Sequence, residues 1–538
     1  MPGMRANWSF AGAMAAGMLL LGSFSAAHGN ALAKAKHAQG ERLGSVNFPV
    51  SCTPDAQKTF DAGVALLHSF QYQEAEQTFS QVAQQDPTCA MAYWGKAMAL
   101  CHQLWDWPSD DTLKEGHTDT VQAMKLRGKT EPERMYIVAA GVFFQDNPKL
   151  SKASRIKAYS DWMGKIFTKY PDDVNAGAFY ALSLITLQGK KEDQDANRKQ
   201  AIEILDGLFR TAPDNPGVAH YLIHASDTPE LAPEGLEAAR AYAKIAPDSS
   251  HALHMPSHIF VRLGLWQEAI DSNIAAAAAA AEATKAGKAD ASYQFHAMDF
   301  LDYAYLQSGQ AAKARAIVDE AKDVAGASAG DIAERSAVFA ARNAFELHQW
   351  KEAEALPVPE NSGAVEITYF VKTVGAARSG DVAGAEQNLG KYKDAVASSA
   401  GKQVSGYSVA SSDTIGEQEA EGWVAFAEDK NADALADMKA AATEEEKDGV
   451  DSLSTPAREM LGDMLLEMKK PAEALVEYKA ALVESPNRFD GLYGAAQAAE
   501  LSGNAEEAHK YYAKLVEICG AGGDRQELTQ AREEVAKR

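Results

Sequence analysis

The chain predicts an all-α fold: an α-solenoid of antiparallel helix pairs, preceded by a signal peptide. Three observations predict it. Long Ala/Glu/Lys/Leu-rich stretches are interrupted by only 19 prolines in 538 residues. Apolar positions recur with the helical period of about 3.6 residues. A self-similar unit also returns along the chain. Near the C-terminus, Leu461-Gly462, Leu465, Ala474, Tyr478 and Ala481 recur as Ala495-Ala496, Ala499, Ala508, Tyr512 and Leu515, displaced by 34. Length alone would suggest about three or four domains, but a repeat array reaches any length as one continuous body.

The elements follow in order. Residues 1–33 read as a secretory signal. Arg5 supplies the positive charge, Trp8 to Phe24 carries none, and small residues at Ser25-Ala26-Ala27 and Ala31-Leu32-Ala33 suit cleavage near 27 or 33. No Cys follows the apolar run, so a lipid anchor is not indicated, and no later stretch is apolar enough to span a bilayer. The mature protein is expected to be exported, periplasmic or secreted. Residues 34–54 form an N-terminal segment. Residues 55–397 carry helix pairs that cannot bury their apolar stripes alone and must stack. Gly63, Ala75, Phe79 and Pro87 open the series, and Phe260, Gly264, Ala269 and Asn273 continue it. Gly189 to Arg198 reads as a charged insertion between two helices, and Asp227 to Pro233 as a lengthened loop. Residues 398–414, rich in Ser and Gly, read as a linker or long loop. Residues 415–538 hold further repeats and a polar capping helix, with Thr443–Asp451 expected to be a solvated helix end.

This skeleton resembles the tetratricopeptide repeat family over most of residues 54–520, in roughly eleven or twelve units. The resemblance implies a superhelix whose concave groove is lined by each unit's first helix. The segment His220-Tyr-Leu-Ile-His224, with His251-Ala-Leu-His254-Met-Pro-Ser-His258-Ile-Phe, is similar to one in a group of exported bacterial members of that family.

Composition excludes several functions. With 75 acidic against 52 basic residues the formal charge is −23, which leaves no basic stripe for a nucleic-acid backbone. No phosphate-binding loop, nucleophile elbow, dinucleotide fingerprint or C-x-x-C pair is present. Of the four cysteines, Cys52 and Cys89 each precede a helix expected to neighbour the other and form the disulfide candidate.

The 13 histidines carry the chemical signal. His220 and His254 share a register 34 apart, as do His224 and His258, and His68 and His102. His251 and His296 fall at the same early position of consecutive units. The family resemblance places all eight on the groove face, with Arg262 beside them as a partner for a carboxylate and Asp299 nearby. Two readings follow. In the first, these residues line a groove for a protein segment or extended ligand, the protein is a non-enzymatic scaffold, and its exposed ends permit self-association. In the second, His220, His224, His254 and His258 form two i, i+4 pairs that hold Zn²⁺ or Cu²⁺. Asp227, Asp299 and Asp302 would then be ligands or orienting carboxylates. If a helix starts at Pro256, His254 sits in the preceding loop and the second pair is not regular. The scaffold reading ranks first. Trp94, His102, Trp105, Asp106, Trp107 and Pro108 form an aromatic cluster suited to packing a loop or stacking a ligand.

Overall fold

The computed structural model describes residues 41–102, 107–360, 362–399 and 413–537. The signal segment, most of the 398–414 linker, Trp105 and Asp106 lie outside the described residues. Within them all regular structure is helical, with no strand, and consecutive helices pack as antiparallel pairs that stack on the next pair. The fold is an α-solenoid.

Local chemistry sets the helix boundaries. Asn215, Ser249, Asp173 and Ser151 each accept a hydrogen bond from the backbone N–H three residues on, and Thr130 with Glu133 and Ser328 with Asp331 make reciprocal capping boxes. Proline stands in the first turn of Pro54–His68, Pro216–Ser226 and Pro471–Glu484, where its missing N–H has no partner to lose. Packing explains the repeat. The Phe79 ring of helix Tyr72–Gln85 wedges between Gly63 and Gly95, and a Cβ there would lie 2.8 and 2.3 Å from it. Near the other end Tyr478 does the same between Gly462 and Gly494, at 2.9 and 2.3 Å. In these two units the second helix drives one aromatic between two neighbouring first helices, and glycine leaves the room.

Two segments distant in sequence close over the middle units. At the N-terminal end, Arg42 pairs with Asp248, Ser45 N–H donates to Asp214 O, and Asn175 Nδ2 donates to Asn47 O. At the other end, Trp266 Nε1 donates to Asn487 O, while Arg488 is buried between Glu346 and Glu459 and also donates to Tyr303. Cys52 and Cys89 form a disulfide, and Cys101 and Cys519 are buried thiols.

Several expectations need correction. Residues 191–198 open the long helix Lys191–Thr211 and are no insertion between helices; Arg198 reaches back to cap His224 O and Ala225 O. The charge run 443–451 is not wholly solvated, because Glu445 is buried and accepts from Ala457 N–H.

Candidate metal centre

Six histidines from three consecutive first helices converge as two triads. Ring nitrogens of His220, His224 and His251 lie within 4.8 Å of one another, and those of His254, His258 and His296 do the same. His220 and His224 sit one turn apart on Pro216–Ser226, and His296 comes from Ser292–Gln307. Between them the chain forms two short helices, Ser250–His254 and Pro256–Arg262. Pro256 removes one helical hydrogen bond, but Met255 keeps helical dihedrals of −53° and −34°. The register therefore runs on through the break. His254 is not in a loop, and its Nε2 lies 3.0 Å from His258 Nε2.

The grouping differs from the expected pairs of pairs. Each i, i+4 pair recruits a third imidazole, His251 or His296, and the four-residue set His220, His224, His254, His258 is divided between two centres. His68 and His102 join neither. Both nitrogens of His68 are engaged, with Tyr221 OH at 3.0 Å and Asn175 Oδ1 at 3.1 Å, and its ring stacks on Phe179. His102 stacks on Tyr72. Asp299 and Asp302 are not ligands either, because Arg342 pairs with both, Arg335 with Asp299, and Asn343 with Asp302. Burial pushes the Asp302 carboxyl up to about 7 despite Arg342.

Nor do the histidines line an open groove. His220, His251, His254 and His258 are 0, 2, 3 and 1% exposed, while His296 is half-buried. Helix Pro54–His68 ends against the first triad, with the Phe70 ring 4.4 Å from His220 and stacked on His224 and His251. Phe70 has φ 54° at a turn position where other units carry Gly264, Gly309, Gly380 and Gly503 or the polar residues His348, Asp429 and Lys469. A bulky residue in the left-handed region is costly, and here it aims an apolar ring at the imidazoles. Phe300 takes the matching place beside the second triad, 4.8 Å from His254 and 4.6 Å from His258.

Hydrogen bonding fixes the tautomers. Asn273 Nδ2 donates to Ala269 O, so its Oδ1 is the acceptor facing His254 Nδ1 at 2.7 Å. Asp227 Oδ2 faces His258 Nδ1 at 3.0 Å, while Oδ1 accepts from Arg262 Nε. Burial would raise the Asp227 carboxyl, but the Arg262 charge and the His258 bond hold it well below its usual range. Both Nδ1 atoms therefore donate, and the two Nε2 lone pairs meet head-on. In the first triad His220 Nδ1 donates to His68 O at 2.6 Å, which presents its Nε2 to His251 Nε2 at 3.1 Å. His68 O belongs to the last turn of its helix, where free carbonyls favour a cation. Desolvation lowers His220 and His296 to about 3 and His254 well below its usual value, so these rings are neutral at pH 7.

Sequence reasoning named His220, His224, His254 and His258 as the metal set and placed His251, His296 and Arg262 on the same face. It missed Phe70, Phe300 and the orienting role of Asn273. Phe70 was detectable as an apolar ring where sister units carry glycine or a polar residue.

No protein-family model matches the chain, and no curated protein matches it. Similar solved structures include the human IFIT1 dimer with m7Gppp-AAAA, 13% identical with a TM-score of 0.37 over 85% of this chain and 95% of that one. Another is the APC/C hetero-tetramer Cut9-Hcn1, 13% identical with a TM-score of 0.30 over 89% and 90%.

Proposed function

We propose that the chain is an exported repeat protein that binds first-row transition-metal ions, one in each histidine triad. The observation that carries this is the 3.0 Å approach of His254 Nε2 to His258 Nε2 with both Nδ1 atoms already donating. Two lone pairs at that distance repel unless a cation lies between or beside them. A proton could serve only by making one ring an imidazolium. For His254 burial opposes that, holding its imidazole well below the usual value, and the Asp227 charge is already shared with Arg262. A metal ion about 2.0–2.1 Å from each nitrogen sets neighbouring tetrahedral ligands about 3.3 Å apart, close to the 3.0 Å between His254 and His258 and the 3.1 Å between His220 and His251. Nδ1 bonds to a carboxylate, an amide oxygen and a backbone carbonyl are the supports that metal-bound imidazoles use.

Imidazole-only ligand sets suit copper or zinc. The signal-like N-terminus and the Cys52–Cys89 bridge support an oxidising compartment. Burial of His220, His224, His251, His254 and His258 favours the metal reading over the groove-scaffold reading at these five residues.

Metal analysis of mature protein purified without chelators and supplied with copper or zinc tests the proposal. Two ions per chain are expected, falling to one in His258→Ala. A folded wild-type protein that retains neither metal would refute it.

A further inference from the structure

We infer that the two triads form one dicopper centre that takes up a dioxygen molecule between its ions. This rests on the metal-binding reading above and deepens it.

The first argument is spacing. Within the triads the ring centroids lie 4.7 Å apart for His220 and His224, 4.8 Å for His220 and His251, 5.0 Å for His254 and His258, and 6.0 Å for His258 and His296. Across the divide His224 lies 6.3 Å from His258, and His251 lies 6.3 Å from His254. The gap between triads is scarcely wider than the spread inside one. Ions held about 2 Å from these nitrogens are neighbours, in the manner of two-metal sites whose ions lie about 3.5–4 Å apart and share a ligand.

The second argument is charge. Both ligand groups consist of imidazoles without a carboxylate, and Asp227 is committed to His258 and Arg262. A pair of Cu(I) ions brings half the charge of a divalent pair into this buried site, and imidazole is a good copper ligand. The third is the jacket. Phe70 and Phe300 lie against the rings of the two triads, which suits a small uncharged ligand and disfavours an anion arriving from solvent. The redox step balances: each Cu(I) gives one electron to become Cu(II), and dioxygen accepts both and is held as bridging peroxide. No proton is required.

Anaerobic loading with Cu(I), then exposure to dioxygen, tests the inference. Expected are two coppers per chain, uptake of one dioxygen per two coppers, a new near-ultraviolet absorption band, and an oxidised form silent in electron paramagnetic resonance because the two spins couple. His251→Ala and His296→Ala should each hold one copper with a full mononuclear signal, and melting of the copper-free forms checks that they fold. Two coppers per chain giving two independent spins and no dioxygen uptake would overturn the dinuclear centre while leaving metal binding intact. No bound copper in the folded wild type would overturn this inference; metal binding itself would fall only if zinc also failed to bind.

Discussion

Replacing Asp227 with asparagine should weaken the second triad selectively, and the structure sets the size of the effect. Both carboxylate oxygens are in use, Oδ2 with His258 Nδ1 and Oδ1 with Arg262 Nε, each at 3.0 Å. Asparagine has one acceptor oxygen. Arg262 cannot lose its proton, so the oxygen turns to Arg262 and the amide N–H faces His258. The imidazole must then move its proton to Nε2, where it points at the His254 Nε2 lone pair 3.0 Å away. The metal-free site gains an ordinary hydrogen bond, worth about 1 kcal/mol, which metal must displace while reversing the tautomer. Loss of such an orienting partner costs about 10–100-fold in affinity, about 1.4–2.7 kcal/mol. Titration against a competing chelator should show one site weakened by that factor and the other unchanged. Melting of the apo protein separates this from unfolding. A folded Asp227→Asn protein holding both ions within about twofold of wild type would refute the tautomer argument.

Three further predictions concern the scaffold. Burial and Asp451 raise the Glu445 carboxyl to about 7. The native state therefore holds a proton that the unfolded chain releases near pH 4.5, and stability is lost as pH rises from there through about 7, by about 3 kcal/mol in all. Glu445→Gln keeps an acceptor for Ala457 N–H, so in urea titrations it should match wild type near pH 4 and exceed it at pH 8; a pH-independent difference would contradict the burial argument. Arg488→Met leaves Glu346 and Glu459 buried without their cation, which should cost about 3–5 kcal/mol. The loss should be largest at pH 8 and smaller in acid as the carboxyls take up protons, and an equal loss at both pH values would count against that account. Reducing the Cys52–Cys89 bridge, with a sequence separation of 37, should cost about 4 kcal/mol by loop-closure entropy, read from melts of oxidised and reduced protein.

The repeat architecture was legible because each of its causes is local. Helix caps act over three residues, the apolar stripe over one or two turns, and the glycines that admit Phe79 and Tyr478 recur within about one unit. The histidines were legible as a face for the same reason: His220 and His224 are one turn apart whatever surrounds the helix. Pro256 was misread because a missing hydrogen bond need not change the backbone direction; packing of Ser250–His254 and Pro256–Arg262 against Trp266–Lys285 holds both pieces in register.

The sequence by itself determined that this protein is a stack of helix pairs with imidazoles aligned on one face, since periodicity and spacing are properties of the chain. Only the tertiary structure decided which imidazoles meet and how deeply they are buried. His258 takes its orientation from Asp227, 31 residues away, and His220 from His68 O, 152 residues away. The helix ending at His68 brings Phe70 onto the first triad, and five of the six imidazoles are buried where an open groove was expected. Burial, tautomer and ligand grouping depend on separations that close only when distant turns of the superhelix touch, and no local pattern encodes that contact.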